Sequence, residues 1–347
     1  MPQVGPAPRL AVTLGDPAGI GPEVVARALL ESPAPEDAWR PVVIGPLAAL
    51  AEAARALGGA IPLHPVRPDH DPWRAAPAGT VPAIDTSRGF PLPEPGAPGP
   101  DSGRMAVEAL DTACALAASG RAEGVVTAPL SKDAVRRSGR DGFVGQTEYL
   151  AQRTGTPEVR MMMAGGSLRV VLVTTHVALR ELPGRIDTEG VLATIRLTHA
   201  ALRRHEGIAA PRIAVCGLNP HPGEFGDEDG AFIAPAVERA RDAGIDATGP
   251  LAADGLFGQI GRLGTGPGGY DAVVAMYHDQ GLIPVKLLAP DGAVNVTLGL
   301  PFVRTAPGHG TAFDIAGRGL ARGEAMRAAL ALAARWAAAL PGTARAG

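Results

Sequence analysis

Lysine is almost missing from this chain. Only Lys132 and Lys286 occur, against thirty arginines, and asparagine is equally scarce, with Asn219 and Asn295 alone. Arginine therefore supplies the ordinary surface cations, and a surviving lysine suggests a task that a planar guanidinium cannot fill. The scarce types fall in compact motifs: TAPLSK holds Lys132, GLNPHPGE holds Asn219, and residues 270–319 hold Lys286 and Asn295. Cysteine is no more common, and Cys114 and Cys216 are too few for a disulfide framework and lie in apolar runs that read as buried thiols. A surplus of positive charge is absent too. The net charge of −3 and the lack of a Lys/Arg-rich block exclude an electrostatic footprint for nucleic acid. No apolar run is long enough to suggest a membrane span. The opening MPQVGPAPRLAVTLGD has no basic region followed by an apolar stretch and cleavage site, so a cytoplasmic protein is expected.

What is present is an alternation of strand and helix. At 347 residues the chain can bury a large core and is expected to form two domains. The apolar run at 10–14 ends in GDPAGIGPEV and passes into a helical pattern through Leu30. Pro22 suits a first helical turn, Glu23 complements the positive end of the helix, and the backbone amides of the glycine loop could face an anion. The loop is not G-x-G-x-x-G, so a Rossmann fingerprint is absent. A strand at 41–45, a helix at 47–57 and short strands near 61–66 and 81–84 continue the pattern. Residues 68–100, rich in proline, glycine and alanine, predict a long irregular connection. A helix at 102–119, the strand GVVTAP and a helix opening at SKDAV follow, and Met161, Met162 and Met163 read as packed core. Thr147 is placed to cap the helix that begins in GQTEYLAQR. Repeated strand-then-helix units predict an α/β fold with a mostly parallel sheet.

Ligands of such sheets collect at the carboxyl ends of the strands. Three of the eight histidines fit that rule: His176 follows LRVVLVTT, His221 follows RIAVCGLNP and His278 follows DAVVAMY. Three imidazoles on one sheet edge suit a divalent transition ion with positions left open for substrate. For any one of them alone a hydrogen-bonded loop histidine is the better reading, since the spacings match no short ligand motif; it is the three together that raise the metal reading to equal standing. His199 and His205 lie within a helical pattern and read as structural or exposed, as do His64 and His70 in the irregular stretch. His309, in PGHGTAFDIAG, stands in a glycine-bounded turn expected to lead into a helix and to present amides to a nucleotide or phosphate.

Taken together, GDPAGIGPEV, TAPLSK, TTH, GLNPHPGE, GPLAAD, AMYHDQG, VNVTLGLPFVRT and HGTAFDIAGRG resemble the 4-hydroxythreonine-4-phosphate dehydrogenase family of pyridoxal phosphate biosynthesis over nearly the whole chain. The first and last motifs are also similar to those of isocitrate and isopropylmalate dehydrogenases. The resemblance implies a two-domain α/β/α fold of that type with the active site in an interdomain cleft. Residues 1–130 with 290–347 would form the cofactor-side domain, and 131–289 a central domain carrying the metal ligands and dimer contacts. It implies NAD (NADP possible) and a divalent ion (zinc, magnesium or cobalt) as cofactors, a small phosphorylated hydroxy acid as substrate, and a homodimer whose second subunit completes the site.

Carried over position by position, the resemblance makes His176, His221 and His278 the metal ligands. Gln146, Thr147, Lys286, Asn295 and Arg304 fall on substrate positions, and Gly19, Gly21, His309, Gly310, Thr311 and Asp314 on cofactor positions. Lys132, Asp254 and Asp279 are the candidates for proton transfer or support of the metal site. The chain departs from the usual pattern at Gln146, where GHTE is usual, at Gly308, where aspartate is common, and in a shorter GEFGDED segment. These leave a second substrate open, 4-phospho-D-threonate or 4-phospho-D-erythronate. Two readings of other classes remain: a phosphate acyltransferase-like enzyme, which needs neither NAD nor a histidine metal site, and a non-catalytic ligand-binding homologue, which would have lost the histidines.

Overall fold

The computed structural model of the chain describes residues 7–31, 39–263 and 269–340. The first elements are β1 (Arg9–Thr13), α1 (Gly21–Glu31), β2 (Arg40–Gly45), α2 (Leu47–Ala56), β3 (Leu63–Pro65), α3 (Pro72–Ala75), β4 (Val81–Asp85) and α4 (Pro100–Ala118). Next come β5 (Gly124–Thr127), α5 (Lys132–Arg137), α6 (Gln146–Thr154), β6 (Arg160–Gly165), β7 (Leu168–Leu172), α7 (Thr188–His205), β8 (Ile213–Cys216), α8 (Ala234–Asp242) and β9 (Ala247–Leu251). The series closes with α9 (Ala253–Leu263), β10 (Ala272–Ala275), α10 (His278–Leu288), β11 (Val294–Leu298), β12 (Val303–Pro307) and α11 (Glu324–Ala338).

The chain divides into two units, Met1–Pro157 with Leu300–Gly347, and Glu158–Gly299. The crossings fall later than the expected 130/131 and 289/290 because α5 packs on α4 and β11 pairs with β6. In the first unit the strands run β3-β4-β2-β1-β5-β12, every neighbouring pair parallel. In the second they run β11-β6-β7-β10-β8-β9; β6 is antiparallel to both its neighbours and the remaining pairs are parallel.

The parallel strands are apolar at nearly every position because both faces are covered. Val274 and Met276 face a cluster with Val191, Ile195, Val215 and Val237, while Val273 and Ala275 face one with Leu172, Cys216, Leu282 and Val285. Each valine, leucine, isoleucine or methionine among them contributes about 1.5–3 kcal/mol when removed from water. Burial also pushes the Cys216 thiol up to about 12, in keeping with its reading as inert core. Cys114 is likewise buried and raised.

Four local expectations change. The proline-rich connection contains a one-turn helix, α3, because Asp71 accepts from the Trp73 amide at 3.0 Å and Pro72 opens the turn. Beyond the strand end expected at His278, with no further element predicted there, residues 278–288 form α10 despite Pro284 within it. HGTAFDIAG does not lead into a helix: Ala312 takes φ +40° and the segment continues as turns, with the Ile315 amide on the Ala312 carbonyl. Finally, Thr147 is not a cap, since α6 starts at Gln146 and the capping position is Gly145.

Candidate active site

In the second unit the three histidines follow three adjacent parallel strands, β7, β10 and β8, at their carboxyl ends. Their loops are stitched together by backbone bonds. The Thr174 amide and hydroxyl both reach the Met276 carbonyl, at 3.2 and 2.7 Å. Gln280 then bridges onward, accepting from the Met276 amide at 2.7 Å and donating to the Gly217 carbonyl at 2.8 Å. The loop that carries His221 is held by Asp229, which is fully buried and accepts from the amides of Leu218 and Asn219 and from the Asn219 side chain at 2.7, 3.2 and 2.9 Å. Asn219, one of the two asparagines, thus serves the loop, with a second bond to Glu228 at 3.0 Å that lowers the Glu228 carboxyl below its usual range. Gly217 is required there, because a Cβ would lie 2.5 Å from Pro222 and 2.8 Å from Asp229.

Two of the three imidazoles meet. The rings of His176 and His278 are 5.6 Å apart between centroids. Two imidazoles on one ion at the usual metal–nitrogen length each have their centroid about 3.2 Å from it, so this separation fits a shared, roughly tetrahedral ion. The His278 Nδ1–H donates to Asp279 Oδ1 at 2.7 Å, which leaves Nε2 as a lone-pair donor. His221 stands apart, its ring beside Phe225 at 6.1 Å. Among the described residues no three His, Cys, Asp or Glu side chains lie close enough together to hold one ion. The same unit carries three other expected residues. Asp254 is exposed in the first turn of α9, and Lys286 is exposed in the last turn of α10, where the helix dipole favours a cation. Asn295 lies on β11 opposite Met163, and its Oδ1 is a buried acceptor with no partner.

In the first unit the glycine loop and HGTAFDIAG come together. The Ile20 amide donates to the Thr311 carbonyl at 2.9 Å, and a Cβ on Gly19 would lie 2.9 Å from that same oxygen. Gly21 has no room either, since its Cβ would sit 2.1 Å from the Leu14 carbonyl oxygen. Gly19 thus serves the packing of the two segments, and Gly21 the return of the loop onto Leu14 just beyond β1. The amides of Ala18, Gly19 and Ile20 are taken by Asp16 Oδ1, the Asp16 carbonyl and Thr311, so three donors of the expected anion cradle are already engaged. His309 offers a different handle. Its Nδ1–H donates to the Gly310 carbonyl at 3.0 Å, so Nε2 is an acceptor, and that atom is buried without a partner. A hydroxyl or amino group of a nucleotide would satisfy it, and the residue set therefore fits a nicotinamide dinucleotide. Asp314 is exposed in the turns that follow.

Arg304 is the one fully buried cation among the described residues of this unit, only 3% exposed. It donates to Thr127 Oγ1 at 2.7 Å and to Gln146 Oε1 at 3.2 Å. Burial lowers its pKa to about 10, against an opposing pull from Glu148, so it stays charged at neutral pH. Lys132 opens α5 behind the Ser131 cap, and its Cε lies 3.7 Å from the place a Gly145 Cβ would occupy. Thr147 lies one residue into α6, half-buried. Asp229 and Gln280 were not found from the sequence. Their work is done on backbone groups of other segments, and no spacing marks it.

The sequence profile of the family described as "Pyridoxal phosphate biosynthetic protein PdxA" matches residues 37–333. The 4-hydroxythreonine-4-phosphate dehydrogenase of Geobacter metallireducens is 46% identical over 337 residues, covering 95% of this chain and 96% of its own. Among solved structures, the 4-hydroxythreonine-4-phosphate dehydrogenase of Klebsiella pneumoniae superposes with a TM-score of 0.81 at 39% identity, covering 95% of this chain and 98% of its own. That of Burkholderia phymatum gives 0.79 at 40% identity, with the same two coverages.

Proposed function

The chain belongs to the PdxA family of pyridoxal phosphate biosynthetic proteins, and from that premise we propose that it oxidises 4-phosphooxy-L-threonine at its C3 hydroxyl, with NAD as hydride acceptor and a divalent ion in the site. It is a dehydrogenase. The 3-oxo acid that results loses carbon dioxide to give 3-amino-2-oxopropyl phosphate. When bound, the nicotinamide supplies the hydride acceptor and the ion supplies a Lewis acid for the reacting oxygen.

The chain's own residues have the following parts. His176 and His278 hold the ion, with Asp279 fixing the His278 ring. That juxtaposition, at the ends of neighbouring strands, is the observation that carries the metal assignment. His221 is the third ligand of the set, and its distance from the pair in one chain accords with a site that a second copy completes. Arg304, Lys286 and Thr147 serve the phosphate end, where a dianion suits guanidinium, ammonium and hydroxyl donors. The unpartnered Oδ1 of Asn295 suits a substrate ammonium or hydroxyl. Lys132 and Asp254 carry the proton transfers. Gly310, Thr311, Asp314 and the acceptor Nε2 of His309 face the nucleotide, while Gly19 lets its loop pack against Thr311 and Gly21 lets it fold back on Leu14. The second copy docks on α10, whose Ile283, Leu287 and Leu288 are exposed apolar side chains.

Removal of metal with a chelator should abolish reduction of NAD by 4-phosphooxy-L-threonine, and zinc, cobalt or magnesium should restore it. His278→Ala should bind the ion too weakly for restoration. Wild-type turnover by that variant in chelated buffer would refute the metal assignment.

A further inference from the structure

Arg304 and Thr305 are neighbours on β12 with opposite allegiances. The Thr305 hydroxyl donates to the Ala329 carbonyl of α11 at 2.8 Å, so the Arg304 side chain leaves the other face of the sheet. There Thr127, at the end of β5, and Gln146, the first residue of α6, accept from it. Gln146 uses the other end of its amide as well, donating from Nε2 to the Ala128 carbonyl at 3.2 Å. The orientation of the amide follows from its partners. Reversed, the amide N–H₂ would face a guanidinium and its oxygen would face a carbonyl, and both bonds would be lost. One acceptor toward Arg304 and one donor toward Ala128 are thus fixed demands of this position.

A neutral imidazole meets the same two demands, with one ring nitrogen accepting and the other donating. A protonated imidazole does not, since both nitrogens become donors and a second positive charge faces the guanidinium. We propose that Gln146 is a positioning residue: it holds Arg304 through an acceptor that does not titrate, so that affinity for a phosphorylated substrate is kept through the pH range in which an imidazole would lose it. This rests on the reading of Arg304 as a phosphate-side group. Other charges face the pair from the surrounding elements. Glu148 on α6 acts on Arg304, and both it and Lys132 on α5 crowd the backbone at Gly145. At the contact of α4 with α6, Asp111 carries Arg140 and Arg153 around Tyr149. Acting on an imidazole placed at 146, the arginines oppose its protonation and the carboxylates favour it, so together they set the pH at which the effect begins.

The test is a set of KM values for 4-phosphooxy-L-threonine and for NAD, measured from near pH 5.5 to near pH 8 for wild type, Gln146→His, Gln146→Met and Arg304→Gln. The phosphate's own second ionisation near pH 6 affects every enzyme alike, so the ratio of variant to wild type is read. Gln146→His should match wild type within about threefold near pH 8 and rise about tenfold or more in substrate KM below the imidazole's range, with KM for NAD unchanged. Gln146→Met should raise substrate KM about tenfold at every pH, the loss expected for a bond to a charged group. The two sites should be coupled: in the Arg304→Gln background, Gln146→Met should add less than about twofold. A thermal melt near pH 8 checks that each variant is folded. A substrate KM for Gln146→His that tracks wild type at all pH values would overturn the proposal. So would an undiminished effect of Gln146→Met without Arg304. If Arg304→Gln alone leaves substrate KM unchanged, the phosphate reading beneath the proposal falls instead, and takes the proposal with it.

Discussion

At the scale of single residues, the site depends on groups that orient other groups. Asp279 accepts from the Nδ1 of His278 and so decides which nitrogen is offered to an ion. Asp279→Asn should therefore weaken zinc or cobalt binding about 10- to 100-fold by equilibrium dialysis while leaving the fold intact; unchanged affinity would show that the ring needs no such partner. Gly15 is a residue of the opposite kind, valuable for what it lacks. It sits at φ +66°, and a Cβ there would lie 2.1 Å from the Pro129 carbonyl oxygen. Gly15→Ala should cost roughly 3 kcal/mol or more in urea unfolding, since strain and collision add. The histidines were legible in the sequence because each ends an apolar run. Asp229 was not, since its bonds reach backwards over some ten residues to amides that no side-chain pattern reports.

At the scale of elements, the strands were legible and the caps and turns less so. Buried parallel strands must be apolar throughout, and that leaves a mark on the sequence; α10 leaves little, since Pro284 interrupts its pattern and its outer face is apolar too. The turns of HGTAFDIAG defeated a helix expectation because their course is set by contact with the glycine loop, a partner nearly three hundred residues away in the chain. The contact of α6 with α4 carries a pH-dependent element. Burial, and then its bond to Asp111 at 2.7 Å, push the Tyr149 phenol from 10 up to about 12. A raised folded pKa stabilises fully below the unfolded value and is lost as pH rises through the folded one. This contribution is thus intact below pH 10 and fades between pH 10 and about 12. Tyr149→Phe should cost about 1 kcal/mol at neutral pH and flatten the decline of stability in that alkaline window, as read by urea denaturation at several pH values. An unchanged alkaline decline would place its cause elsewhere.

At the scale of the whole molecule, the two units have different chemical equipment. The second brings the imidazole pair, Asn295 and Lys286; the first brings the glycine loop, His309 and the Gln146–Arg304–Thr127 group. The α/β class could be read from the alternation of elements, but the position of the domain crossings could not, because strand pairing and helix packing decide them. No helix among the described residues is long and apolar enough to cross a membrane. Ile283, Leu287 and Leu288 of α10 are exposed apolar side chains, and the proposed second copy would cover them. Leu287→Glu should convert a dimer to a monomer by light scattering and take activity with it; a variant that stays dimeric would move the interface elsewhere. The chemistry itself is tested most directly by kcat/KM for NADH formation from 4-phosphooxy-L-threonine, 4-phospho-D-threonate and 4-phospho-D-erythronate, each with a divalent ion present. Because Gln146 is engaged with Arg304 and Ala128, its substitution for the usual histidine gives no reason for a changed substrate. The amino acid phosphate should be preferred by at least about tenfold, with carbon dioxide released in step with NADH. Preference for either sugar-acid phosphate, with no turnover of 4-phosphooxy-L-threonine under any ion, would contradict the account.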